Sequence, residues 1–272
     1  MKSYVRQILG HEQRKGAGHI PLIDLQNGMK TYYERMGNGV PIVFVHPPGM
    51  GLVTFHYQRP LSKDYDIILY DIRGNGQSSS SNDPITMSLL SEDLNHLLES
   101  LSIEQAYICG YSNGGSIAQH FALSYPNKVR GLILIGGFSE VTSPLLHAEF
   151  LLGIKVAKLG MLPLLAKTIS NAHAPSKTFK KHLYQYMLKT NRKTLIEMYE
   201  SGAEYRSTDR LHEINVPVLL VYGQHDYYVH HYKHHFLQNI EKVDVVYIAN
   251  VSHQVPTKQA PALNNVISQF IR

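Results

Sequence analysis

The stretch AYICGYSNGGSIAQHFA, residues 106–122, decides how the rest of the chain is read. Residues 106–109 form an apolar, β-rich run. Gly110-Tyr111-Ser112-Asn113-Gly114 is a G-x-S-x-G. Ile117, Ala118, Phe121, Ala122 and Tyr125 then recur at helical spacing until Pro126 stops the pattern. The spacing predicts strand, tight turn and helix, the repeating unit of a mostly parallel α/β sheet. Gly114 and Gly115 leave room for a sharp turn, which would hold Ser112 strained, with Oγ above the sheet and facing the positive end of the next helix. The plainer reading of the same residues is a glycine-rich βα turn with Ser112 as an N-cap.

The same alternation continues on both sides. Residues 19–25 and 29–36 flank Asn27 and Gly28 and read as a hairpin. Further strand runs fall at Pro41–Val45, 67–70, 131–135, 217–222 and Val243–Ile248. Several are apolar throughout, as strands covered on both faces are. Leu90, Leu94, Leu97, Leu98 and Leu101 give residues 88–101 one apolar helical face, and a last helix covers 261–270. Residues 138–213 are too long for a connecting loop. Their apolar positions, among them Leu145, Leu146, Phe150, Leu151, Ile154, Leu159, Leu162, Leu165 and Ile169, follow a helical period. The expected organisation is a core of residues 1–137 and 213–272 with an inserted helical cap, 138–212.

A serine hydroxyl needs a base to take its proton. In a strand–turn–helix setting of this kind the acid and then the histidine follow the serine in the chain. Asp226 stands just after the run 217–222 and His253 just after Val243–Ile248, both at carboxyl ends of strands, where an open α/β sheet builds its site. His253 is the expected general base, and Asp226 the group that fixes its tautomer. Glu140, after the run 131–135, is the alternative acid. Position and chain order select His253 from the chain's 16 histidines.

With these residues the chain resembles the α/β-hydrolase superfamily, in its branch that carries a helical cap. His46-Pro47-Pro48-Gly49 after the third strand, and Asp71-Ile72-Arg73-Gly74-Asn75-Gly76-Gln77-Ser78 after the fourth, are similar to that family's motifs over a likeness running from about residue 20 to the C-terminus. The resemblance implies an eight-stranded, mostly parallel sheet whose antiparallel element is the second strand, and hydrolysis without a cofactor. The backbone N–H of Asn113 would be one oxyanion donor. The family often has H-G-x after the third strand, with x donating. Pro48 stands at that place here and has no N–H, so the second donor is expected from Gly49, with Met50 as the alternative. Asp71 and Arg73 are expected to be structural, and His46 to orient its loop.

Other signals exclude or narrow function. There are 26 Lys and Arg against 21 Asp and Glu, a net charge of +5. The basic residues are scattered, densest from Lys177 to Lys193, without the interleaved aromatics of a nucleic-acid surface. No apolar run is long enough to span a membrane, and residues 1–18 hold no secretory segment, so a cytoplasmic protein is expected. Cys109 is the only cysteine and is expected to be buried and inert. His230 with His234, and His231 with His235, are spaced to grip a metal on a helix, but with no third ligand in view they read as a surface helix, and no metal site is assigned. The inserted segment supplies Phe138, Phe150, Met161, Tyr184, Tyr186, Met187, Met198 and Tyr199 as candidate pocket lining. These favour a small-molecule substrate with an apolar or aromatic acyl or alcohol group. The expected activity is cleavage of a carboxylic ester through an acyl-enzyme on Ser112. Carbon–carbon bond hydrolysis by the same three residues is an alternative, and a slowly turning ligand-binding role another. A homodimer is compatible with the sequence.

Overall fold

The computed structural model describes residues 22–25 and 28–272. Eight strands form one sheet: β1 (Leu22–Asp24), β2 (Lys30–Met36), β3 (Pro41–Val45), β4 (Asp66–Tyr70), β5 (Ala106–Tyr111), β6 (Val129–Ile135), β7 (Val218–Gly223) and β8 (Val243–Ile248). Their order across the sheet is β1-β2-β4-β3-β5-β6-β7-β8. β2 runs antiparallel to both its neighbours, β1 and β4, and every other pairing is parallel. Residues 19–21 and Asn27 of the expected hairpin lie outside the described residues.

The apolar strand runs feed two cores, because successive side chains point to opposite faces. Val43 and Val45 of β3 join one core while Ile42 and Phe44 join the other. Leu132 and Leu134 of β6 likewise separate from Ile133 and Ile135. Each such side chain, taken fully out of water, contributes roughly 1.5–3 kcal/mol before its entropy cost.

α1 (Met87–Ser100) and α2 (Asn113–Ser124) pack Leu90, Leu94, Leu97, Ile117 and Phe121 onto the first of these faces. The hydroxyl of Thr86 caps α1 by accepting from the amide of Leu89 at 3.1 Å. Between β6 and β7 come four helices: α3 (Pro144–Lys158), α4 (Leu162–His173), α5 (Lys177–Met187) and α6 (Arg192–Glu204). Ser176 and Asn191 cap the last two with their side chains. Leu146 and Phe150 of α3 and Met198 of α6 belong to the first core, and Phe179, Leu183 and Met187 of α5 to the second. The insertion therefore straddles the carboxyl ends of the strands. α7 (Lys233–Asn239), α8 (Val255–Lys258) and α9 (Ala260–Ile271) complete the chain. Among the described residues, no helix is long and apolar enough to cross a membrane.

The two loops that follow β3 and β4 are locked together. His46 is fully buried; its Nε2 accepts from the amide of Ile72 at 3.0 Å, so Nδ1 carries the proton and donates to the Pro47 carbonyl at 2.8 Å. Burial pulls its pKa down to about 4. Asp71 accepts from the amides of Leu52 and Gln77, both at 2.8 Å, and from the Tyr186 hydroxyl at 2.7 Å. Burial still pushes its pKa up to about 6. Arg73, also buried, forks onto the carboxylate of Asp93.

Candidate active site

The turn between β5 and α2 carries Ser112 at φ 52°, ψ −126°. A positive φ on a side-chain-bearing residue is strained, by roughly 1–3 kcal/mol, and persists only where the surroundings impose it. They do so here. The Ser112 amide donates to the Ile135 carbonyl, and the Gly115 amide to the Ser112 carbonyl, both at 2.8 Å. A Cβ built on Gly114 would stand 2.2 Å from the Val45 carbonyl oxygen, so only glycine lets the helix approach β3 this closely. Ser112 occupies the N-cap place of α2, yet its side chain makes no capping bond. It lines a cavity instead.

That cavity, about 300 Å³, lies between the strand ends and the inserted helices. His253, in the loop after β8, lines it too. Asp226, in the loop after β7, is wholly buried behind His253, with Oδ2 at 2.7 Å from His253 Nδ1. The bond places the imidazole proton on Nδ1 and leaves Nε2 as the ring nitrogen able to accept a proton. Burial alone would pull the imidazole pKa down. The charge and hydrogen bond of Asp226, with a further contribution from Glu149, outweigh it and hold the group above its ordinary value. The structure thus joins Asp226 to His253 and brings Ser112 and His253 to one cavity. Among the described residues, Ser112 Oγ makes no hydrogen bond to His253, and such bonds commonly tighten only when substrate is bound.

Glu140 is engaged elsewhere, 3.2 Å from the Nε of Arg206, and does not meet His253. Cys109 is fully buried, and burial pushes its thiol pKa well up. Of the histidines after Asp226, His230 and His231 lie in a tighter turn ahead of α7, and His234 and His235 in α7 itself. His230 meets the Gly223 carbonyl at 2.8 Å, while His235 Nδ1 meets the Ser139 hydroxyl at 2.8 Å.

Of the aromatic and methionine residues expected to line a pocket, Phe150 and Tyr199 do so. Phe138 and Met198 are core residues, Tyr186 is bonded to Asp71, and Met161 is exposed. Met187 packs behind Gly49. The loop after β3, expected to supply an oxyanion donor, also departs from expectation. The Gly49 amide donates to Asn75 Oδ1 at 2.9 Å, inside the protein, so it is not offered to the cavity. Met50 lines the cavity, and its amide makes only a long turn contact of 3.3 Å to the Pro47 carbonyl. The Asn113 amide begins α2, where an N–H has no partner within its own helix.

Sequence reasoning missed three groups around His253. Tyr111, buried at the end of β5, holds its ring 5.2 Å from the imidazole, tilted by 35°, and its hydroxyl lies 3.1 Å from the His253 carbonyl. The same hydroxyl lies 2.9 Å from Nε2 of His173, a histidine whose burial lowers its pKa to about 4. Glu149 of α3 lines the cavity and accepts from the Tyr228 hydroxyl at 3.3 Å. An acid interrupting the apolar residues of 144–159 was the one sequence signal for it.

Residues 40–255 match the sequence model of a family described as alpha/beta hydrolase fold. A putative carbamate hydrolase from Azorhizobium caulinodans is 31% identical over 110 residues, 40% of this chain and 42% of that protein. This chain thus matches less than half the length of that relative. A 2-hydroxy-6-oxononadienedioate/2-hydroxy-6-oxononatrienedioate hydrolase from Burkholderia vietnamiensis is 25% identical, over 96% of this chain and 98% of that one. Among solved structures, a hydrolase from Pseudomonas aeruginosa superposes with a TM-score of 0.83 at 20% identity, covering 94% of this chain and 99% of that chain. The enol-lactonase from Burkholderia xenovorans gives 0.81 at 22%, covering 92% and 99%. At these identities the superpositions speak for the fold alone.

Proposed function

This chain belongs to the alpha/beta hydrolase fold family, and from that premise we propose that it is a serine hydrolase cleaving a small to medium, largely apolar carboxylic ester. The observation that carries the reading is the 2.7 Å pairing of Asp226 with His253 on the cavity that Ser112 also lines. Ser112 Oγ attacks the ester carbonyl while His253 Nε2 takes its proton. Asp226 holds the tautomer and stabilises the imidazolium. The Asn113 amide at the start of α2, and the amide of Met50 in place of Gly49, stabilise the oxyanion. The imidazolium returns its proton to the departing alkoxide, leaving an acyl group on Oγ. Water, activated by the same imidazole, then releases the acid and restores the serine. The helical insertion serves as the cap that sets selectivity.

Carbon–carbon bond hydrolysis is the second reading, favoured by the full-length likeness to the dienedioate hydrolase. The cavity weighs against such an anionic substrate. No Lys or Arg stands among the described residues that line it, and Glu149 does. A carboxylate in this setting repels a second one.

Labelling with a fluorophosphonate, followed by peptide mapping, tests the nucleophile; the label is expected on Ser112. Turnover of p-nitrophenyl acetate and butyrate against vinylogous diketones separates the two chemistries. A burst without sustained turnover would replace both with a slow ligand-binding role.

A further inference from the structure

Glu149 has no part in the reaction just described, yet it is the only Asp, Glu, Lys or Arg among the described residues lining the cavity. It stands at the rim, on α3, where a ligand can reach it. Its one hydrogen bond is the long contact from Tyr228, and among the described residues no Lys or Arg forms an ion pair with it. The ring of Tyr228 lies 6.1 Å from that of His253, and Tyr199 lines the same wall, its ring edge-on to Phe150 at 6.1 Å. Burial raises the carboxyl's pKa, against the opposing charge of His253 and the hydrogen bond from Tyr228. A carboxylate beside aromatic rings and open to a ligand is an arrangement that attracts an ammonium group.

We propose that Glu149, with Tyr199 and Tyr228, forms a subsite for a cationic group, a primary or quaternary ammonium carried by the acyl or alcohol part of the ester. The proposal rests on the ester-hydrolase reading and adds a substrate class to it. The other polar groups of the cavity do not supply this selectivity. His253 and Ser112 act on the carbonyl, and His173 is tied to Tyr111 and to the Ile169 carbonyl.

The test uses the full chain and isosteric substrate pairs that differ in one charge. On the alcohol side the pair is acetylthiocholine and 3,3-dimethylbutyl thioacetate. On the acyl side it is methyl 4-(trimethylammonio)butanoate and methyl 5,5-dimethylhexanoate. The readout is the ratio of kcat/KM, cationic over neutral. Any effect that passes through His253 acts on both members and cancels. At least one pair is expected to favour the cation by about tenfold or more, the equivalent of roughly 1.4 kcal/mol. Glu149→Gln should bring that ratio near one, and Glu149→Lys should take it below one. Tyr228→Phe keeps the ring and should keep most of the preference. If no member of either pair is turned over, the ester-hydrolase reading fails. If they are turned over and both ratios sit near one, or survive Glu149→Gln, that reading stands and the subsite is overturned.

Discussion

The amide of Gly49 donates to Oδ1 of Asn75 at 2.9 Å, and the Asn75 amide group donates to the Arg73 carbonyl at 3.0 Å. The loop after β3 is therefore held by the loop after β4. With Gly49 turned inward, Met50 is the cavity-lining residue of that loop that has a backbone N–H, since Pro47 and Pro48 have none. Removing the anchor should misplace the proposed oxyanion donor without removing it. Asn75→Ala is expected to lower kcat on p-nitrophenyl butyrate by about ten- to hundredfold, less than the 10²–10³ typical of deleting a donor outright. Unchanged kcat in a folded Asn75→Ala protein would remove this loop from catalysis. The variant also leaves the buried Gly49 amide without an acceptor, so a stability loss of roughly 1–3 kcal/mol should appear in its melting curve.

On the proposed mechanism, His253 sets the pH dependence. Burial opposes its charged form, and Asp226 together with Glu149 overcompensates, so its pKa lies above 6.5. The reactive form is the neutral imidazole. The acid limb of kcat/KM should therefore turn above pH 6.5, with activity rising as the ring loses its proton. Asp226→Asn removes the charge that holds the pKa up. The limb should move to lower pH while the plateau falls by about 10²–10⁴, because the tautomer is no longer fixed. Stability follows the opposite direction. The charged His253–Asp226 pair contributes fully below the unfolded pKa of about 6.5, and that contribution is lost as pH rises through the raised folded value. A limb that stays put in Asp226→Asn would show that another group titrates.

Gly136, just past the end of β6, has φ +58°, and a Cβ built on it would stand 2.6 Å from Cε1 of His253. Glycine here serves the histidine's position as well as the chain's path. Gly136→Ala must either move the imidazole off its Asp226 contact or distort the backbone. A loss of about 10²-fold or more in kcat is expected, in line with the cost of an ångström-scale misplacement of a reacting group. Fluorophosphonate labelling of Ser112 should slow by a similar factor at a temperature where circular dichroism shows a folded protein. Labelling at the original rate would mean that the ring has room to spare.

Much of this site was legible because its parts are local. The G-x-S-x-G and the apolar strand runs each depend on a few neighbouring residues, and Asp226 and His253 stand out by following two such runs. What could not be read is non-local. The Gly49–Asn75 bond joins residues 26 apart, and Tyr111 meets His173 across 62. Nothing in the run His46-Pro47-Pro48-Gly49 says that the glycine amide turns inward. The insertion's helices were plain from their period, but its aromatic residues all look alike in sequence. Packing alone decides that Phe150 and Tyr199 face the cavity while Phe138 and Met198 enter the core.

Ser112 itself separates function from stability. Its φ of 52° costs energy that the proposed nucleophile's placement would account for. Ser112→Ala keeps a Cβ and hence the strain, so it should abolish labelling and turnover with little change in melting temperature. Ser112→Gly also removes the nucleophile, but glycine adopts this φ without steric penalty. Against that relief stands the greater freedom of glycine in the unfolded chain, roughly 0.5–1 kcal/mol. The strain, of order 1–3 kcal/mol, is the larger quantity, so Ser112→Gly should be the more stable of the two inactive proteins, by about 1 kcal/mol. Urea unfolding of both variants measures the difference directly. If Ser112→Gly proves less stable than Ser112→Ala, the turn is not strained, and the serine is held there by the ordinary preferences of its surroundings.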